Sequence, residues 1–256
     1  MIPFSLITDE LYERTVRVAC LSMCTVVIRV PEPGAGAVRV LAVRDEDPGR
    51  PWRPLGAWWP DQPSVRGVMD ELAGGAWLAV NDSTLAVLLN RAGGAEGPNV
   101  TSRGALVLNT LAGVPLPDPL TTLGFNLIEV TADGAQVTSW EGGTPTVVDL
   151  SPGTHMIAHD DVDDPKTARV AAWLDAFAAA PTDDSPDGRW WDAWLAVLAK
   201  TTVLDASDDR AIIRDNHAHG FPTLSLLVSV ASVSGSGVNA QMATLDAPGR
   251  WNDLGL

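Results

Sequence analysis

Short apolar, β-branched runs separated by turn residues set the pattern of this chain. Thr25-Val26-Val27-Ile28-Arg29-Val30 predicts a first strand, and the turn-forming stretch Pro31-Glu32-Pro33-Gly34-Ala35-Gly36 leads into a second apolar run over 37–43, a hairpin with a longer loop. Residues 48–67 hold Pro48, Pro51, Pro54, Pro60 and Pro63 together with Trp52, Trp58 and Trp59. Prolines cannot supply regular ladder hydrogen bonds, so this stretch predicts an irregular loop, and loops of that length tend to be functional. Runs over 76–81 and 84–90 around a polar Asp82-Ser83 turn predict a second hairpin. Thr101-Ser102 ahead of Ala105-Leu106-Val107-Leu108 reads as a capped helix ending near Gly113, followed by strands over 124–130, 135–140 and 146–150.

The period then changes from two to nearly four. Val170, Leu174 and Phe177, and then Trp190, Trp194, Val197 and Leu198, fall at helical spacing and predict helices over 165–180 and 188–200, with a polar breaker between them. Strand patterns return over 223–233 and 238–245. Hairpin-linked strands with helices between and after them predict an α+β layered domain over residues 23–256 and exclude a doubly wound sheet. Residues 1–22 lack this patterning and read as an N-terminal extension.

Composition narrows the class. Of 256 residues 46% are hydrophobic and 19% charged, which excludes disorder and coiled coil and leaves enough apolar surface for a layered core without staples. Cys20 and Cys24, the two cysteines, would close a loop too short to add much stability, so reduced intracellular thiols are expected. Seventeen Lys and Arg against 32 Asp and Glu give a net charge of −15, which repels phosphate backbones and anionic membrane surfaces alike. Neither nucleic acid nor stable membrane insertion is expected; the longest apolar stretch, 224–233, is broken by serines and is about half a membrane span. The first 22 residues carry Asp9, Glu10, Glu13, Arg14 and Arg17, unlike a secretory signal, so the expected location is the cytoplasm.

Few side chains offer chemistry. His155 and His159, and His217 with His219, lack the helical setting or neighbouring cysteines of a zinc site, so no metal is expected. The acidic run Asp160-Asp161-Val162-Asp163-Asp164 lacks the glycine and terminal glutamate of a calcium loop and reads as a solvated segment ahead of a helix. No phosphate-cradling glycine loop or serine elbow is present. Cys24 remains, at the head of the first strand, with Arg44-Asp45 at the end of its hairpin partner. Without further motifs Cys24 reads as a small buried hydrophobe at a strand start and Arg44-Asp45 as a structural ion pair at a hairpin end. Likewise Trp52, Trp58, Trp59 and Trp77 either line a pocket for a large apolar ligand or pack a core edge.

Met23-Cys24-Thr25, Ala42-Val43-Arg44-Asp45-Glu46, Gly74-Gly75-Ala76-Trp77 through Asn81, Leu88-Leu89-Asn90-Arg91, Ser102-Arg103-Gly104 and Gly124-Phe125-Asn126-Leu127 occur in the order and spacing of the NRDE family, also called the Transport and Golgi organisation 2 family. The chain resembles that family well from residue 23 to about 130 and loosely beyond. The resemblance implies an N-terminal nucleophile hydrolase-like fold, a four-layer αββα sandwich. It implies Cys24 as nucleophile of a C–N (amide) hydrolase, with its own α-amino group as base, Arg44 and Asp45 as its orienting pair and Asn90 as an oxyanion donor. It also implies an alternative, a non-catalytic carrier of haem or an acyl-lipid on the same scaffold, with the tryptophan-rich loop over the cleft. No cofactor is required in either case; the partner is a small molecule, with haem or an acyl group as ligand, and the oligomeric state is not specified. The departures are Val43 at the first motif position, Leu150-Ser151-Pro152 where the family has Leu-Ser-Asn, and Leu224 where it has Arg. They predict weakened catalysis, since one lost oxyanion donor costs about 100- to 1000-fold in rate.

Overall fold

The computed structural model describes residues 24–183 and 188–256. The extension expected over 1–22, Cys20 within it, and part of the polar breaker between the two later helices lie outside these residues.

Among the described residues twelve strands form two antiparallel sheets. The five-stranded sheet runs β10-β1-β2-β11-β12, from β1 (Thr25–Val30), β2 (Val38–Glu46), β10 (Gly153–Ile157), β11 (Leu224–Ser234) and β12 (Gly237–Thr244). The seven-stranded sheet follows chain order, β3 (Trp52–Gly56), β4 (Arg66–Asp70), β5 (Ala76–Val80), β6 (Leu85–Gly94), β7 (Leu123–Thr131), β8 (Gly134–Trp140) and β9 (Thr146–Asp149). Three α-helices occur among the described residues, α1 (Gly104–Leu111), α2 (Ala168–Ala179) and α3 (Asp192–Thr201). None is long and apolar enough to cross a membrane.

Alternation along the strands sorts side chains into three layers of core. Val26, Ile28, Val40 and Ala42 point inward to meet Val68, Leu78, Val80, Leu85, Val87 and Leu89 of the other sheet. Their neighbours Val27, Leu41 and Val43 point outward to Phe177 of α2 and to Trp194 and Leu198 of α3, where Phe177 and Trp194 stack edge to face at 5.9 Å. On the opposite outer face Ala79, Ala86, Leu88 and Phe125 receive Leu106, Val107 and Leu111 of α1. The order is helix, sheet, sheet, helix, the α+β sandwich expected.

The hairpins and both later helices fall where the pattern places them, and two strands do not. Residues 48–67, expected as irregular loop, contain β3 and lead into β4. Pro54 is tolerated because β3 is an edge strand and its pairing with β4 shifts register between Arg53 and Gly56, where a missing N–H costs nothing. The unpredicted β10 is likewise an edge strand, and its partner β1 lies more than 120 residues earlier, a pairing no local pattern reports.

The acidic run after β10 is also less solvated than expected. Asp163 accepts the Met156 backbone N–H at 2.7 Å and pairs with His155 Nδ1 at 2.7 Å, Asp160 accepts the Thr167 hydroxyl at 2.6 Å, and Asp161 pairs with Arg91 at 2.8 Å. These carboxylates close the end of β10 onto the start of α2. The hydrogen bond to Asp163 holds the His155 imidazole above its usual pKa.

Candidate active site

Cys24 stands at the head of β1, 5% exposed and packed in the inter-sheet layer. Its thiol points to the backbone carbonyl of Asp45 at 3.7 Å. Burial, followed by the nearby Asp45 charge, pushes the thiol up to about 12; the hydrogen bond to Asp45 and the Arg44 charge pull the other way and lose. In the chain as it stands the sulfur is therefore a protonated thiol at neutral pH, a weak nucleophile.

Arg44 and Asp45 are adjacent and leave β2 on opposite faces, continuing the alternation of inward Ala42 and outward Val43. Arg44, 3% exposed, turns inward. Its Nη2 donates to Glu46 at 3.2 Å, its guanidinium carbon lies 5.8 Å from the Trp77 ring centre, and its Nη1 is buried with no acceptor.

Asp45, 1% exposed, turns toward the helix layer. It accepts a hydrogen bond from Ser225 Oγ at 2.5 Å, and Ser225 Oγ in turn accepts the Arg214 backbone N–H at 2.9 Å. Arg169 of α2 and Arg214, both fully buried, supply positive charge to it. Arg169 Nη1 donates to Thr25 Oγ1 at 3.1 Å, and Arg214 reaches Asn216 at 3.0 Å and Asp209 at 3.2 Å. Burial still dominates, holding Asp45 up at about 6 against those cations, and burial together with Arg214 brings Arg169 down to about 10.

A cavity of about 550 Å³ opens beside Arg44. Glu46, Arg50, Asp70, Trp77, Asn90 and Arg103 contribute its polar lining, with Leu88, Val100 and Leu123 among the apolar groups. Cys24 is not part of the lining and lies behind this wall, close enough that the Arg44 charge acts on it. Arg103 donates to Gly124 O at 2.8 Å, and burial brings it down to about 10.

Two glycines seat this part of the wall. A Cβ on Gly104 would stand 3.1 Å from Gly75 Cα, and one on Gly75 would collide with the Gly104 carbonyl, so the start of α1 rests directly on the start of β5. That contact is the physical content of the Gly74-Gly75 and Ser102-Arg103-Gly104 pieces.

Arg44, Asn90 and Trp77 are thus brought to one cavity with Cys24 behind it, and Asp45 is turned away from it. Trp52, Trp58 and Trp59 are not part of its lining. Trp52 packs on the inter-sheet core, Trp58 donates to Pro54 O at 2.7 Å with Arg53 stacked 5.1 Å above it, and Trp59 donates to Gly74 O at 2.8 Å. Ser151-Pro152 also lies elsewhere. Gly153 pairs with Val30, and six residues of strand put that end about 20 Å from Cys24. Pro152 therefore has no bearing on the thiol; the segment after Ile157, which pairs with Val26, runs on toward the Cys24 end of β1. Ser225, one residue past the Leu224 departure, is the hydroxyl on Asp45. The approach of Arg169 and Arg214 to Asp45 had no local signal, since that carboxylate lies more than 120 residues away from both in the chain.

A search of curated proteins finds no match to this chain. The profile of the family Transport and Golgi organisation 2 matches residues 23–221, beginning one residue before Cys24 and spanning both sheets up to the start of β11. The chain belongs to the Transport and Golgi organisation 2 family.

Proposed function

We propose that this protein hydrolyses a C–N (amide) bond with Cys24 as nucleophile, once cleavage of the chain makes Cys24 its first residue. The observation that carries the reading is the placement of a buried cysteine at a strand head behind a cavity lined by Arg44 and Asn90, in a family match that begins at Met23. Cleavage converts the Cys24 amide nitrogen into an amine with an ordinary pKa of about 7.7–8.0, a base that can take the thiol proton. The sulfur then attacks the amide carbonyl, a C–S bond forms and the C–N bond breaks, and the captured proton goes to the leaving amine. Water hydrolyses the thioester, releasing the acid and restoring the thiol. Arg44 favours the thiolate by charge and Asn90 donates to the developing oxyanion. Asp45 positions the strand end from the opposite face.

The second reading is a non-catalytic carrier of haem or an acyl-lipid in the same cavity. The observation that favours it is the thiol held at about 12 while Cys24 is bonded to Met23.

Intact mass and N-terminal sequence of the protein made in its own host separate the two. The hydrolase reading expects a chain starting at Cys24 and amide turnover that is lost in Cys24→Ser. A chain retaining residues 1–22 overturns it, and the carrier reading then expects haem or acyl-CoA to quench tryptophan fluorescence equally in Cys24→Ala.

A further inference from the structure

Two residues of the cavity wall carry buried donors that have nothing to donate to among the described residues. Arg44 Nη1 and Trp77 Nε1 both lack a hydrogen-bond partner, on side chains 3% and 7% exposed whose residues line the same space. An unsatisfied buried donor costs about 1–3 kcal/mol, and more when charged, so two in one wall of a cavity mark a place where a ligand supplies the acceptors.

The charges of the wall say what kind of acceptor. Asp70 is occupied by Arg50 at 2.7 Å and by the Leu72 and Ala73 N–H groups, and Glu46 is occupied by Arg44 Nη2 and the Asp47 N–H. Three guanidiniums, Arg44, Arg50 and Arg103, therefore face two carboxylates, leaving one positive charge in excess within a chain of net charge −15. Arg103 makes no ion pair among the described residues. The first turn of α1 also borders the cavity through Gly104 and carries no acidic residue, and although Ser102 Oγ accepts the Gly104 N–H at 3.2 Å, its partial positive end adds to the same field. Leu88, Val100 and Leu123 with the Trp77 ring give the wall an apolar part, beside the uncharged polar Asn90, Thr101, Ser102 and Thr223.

We infer that this cavity binds a monocarboxylate with an apolar body, the Arg44 and Trp77 side chains turning to donate Nη1 and Nε1 to its two oxygens. One excess positive charge matches one carboxylate, and a volume of about 550 Å³ suits a small organic acid. As a statement about substrate this rests on the hydrolase reading and specifies an amide that itself carries a carboxylate; as a statement about binding it stands apart from that reading.

The test uses the full chain with Cys24→Ala, so that neither processing nor turnover affects the outcome. Benzoylglycine is titrated against the indole ¹H–¹⁵N resonance of Trp77, assigned by its loss in Trp77→Phe, with benzoylglycinamide as the neutral control. The expected result is a saturable shift of that resonance by benzoylglycine, with binding weakened at least about tenfold for the amide or for the acid in Arg44→Met. Calorimetry on Trp77→Phe gives the same acid a weaker affinity without relying on the lost resonance. Equal affinity for acid and amide, an Arg44→Met variant that binds the acid unchanged, or no shift up to about 10 mM acid overturns the inference. Each of these results leaves the processing and turnover measurements of the hydrolase reading where they stood.

Discussion

Arg44 and Asp45 are neighbours in sequence, equally buried, and built into opposite situations. Asp45 faces the helix layer, where Ser225, Arg169 and Arg214 close around it. Arg44 faces the cavity, where one nitrogen is paired to Glu46 and another has no acceptor. On the first side the fold itself brings a hydroxyl and two guanidiniums to the carboxylate; on the second, one guanidinium nitrogen is left without an acceptor among the described residues. If the cavity binds as proposed, a charged dipeptide at the end of one strand serves stability on one side and recognition on the other, and the two roles separate by substitution.

The largest effect is expected on the Asp45 side. Asp45→Ala removes the carboxylate that Arg169 and Arg214 face, and loss of one partner of a buried charge cluster costs about 3–5 kcal/mol. Urea denaturation should show this as a lowered midpoint at unchanged slope. A loss below about 1 kcal/mol would mean that the two arginines are satisfied without it.

Next comes the thiol on the cavity side. Cys24 lies at about 12 in the folded chain, above its ordinary value of about 8.5 when unfolded. The folded state then holds a proton that the unfolded state releases, so the contribution is fully present below about pH 8.5 and is lost as pH rises toward 12. Stability measured across that window should fall less steeply in Cys24→Ala than in the parent chain, and iodoacetamide should leave Cys24 unmodified at pH 8 until denaturant is added.

The smallest change is expected from Arg44→Met. This substitution removes an unsatisfied buried donor together with a pair to a partly exposed glutamate, so stability should stay within about 1 kcal/mol of the parent while carboxylate binding is lost. If Arg44→Met proved as damaging to stability as Asp45→Ala, the distinction between the two faces would collapse.

What could be read in the sequence follows the same division between local and distant. Period-two runs at 25–30, 76–81 and 84–90 announced strands because a hairpin is written in contiguous residues, and the spacing of Val170, Leu174 and Phe177 announced a helix for the same reason. Cys24, Arg44 and Asn90 could be singled out because family resemblance preserves short motifs. The strand β10 and the approach of Arg169 and Arg214 to Asp45 could not. Each depends on a partner 120 or more residues away, where hydrophobic alternation carries no information. Arg103 lay within a recognised motif, yet its meaning emerged only with the Gly75–Gly104 contact that brings α1 against β5. The tryptophans at 52, 58 and 59 drew attention by composition, but composition cannot say which way an indole points.

The two sheets also differ in how far apart in time their strands are made. In the seven-stranded sheet each strand pairs with the next one in the chain, so short loops close it progressively. The five-stranded sheet is completed only when β11 is laid against β2, and the Ser225–Asp45 hydrogen bond spans 180 residues. On a ribosome, the end of β2 that carries Arg44 and Asp45 waits for nearly the whole chain. Until the C-terminal hairpin is laid down, Asp45 lacks the Ser225 hydroxyl and the Arg214 guanidinium, so this strand end is the last part of the sheet to gain its full set of partners.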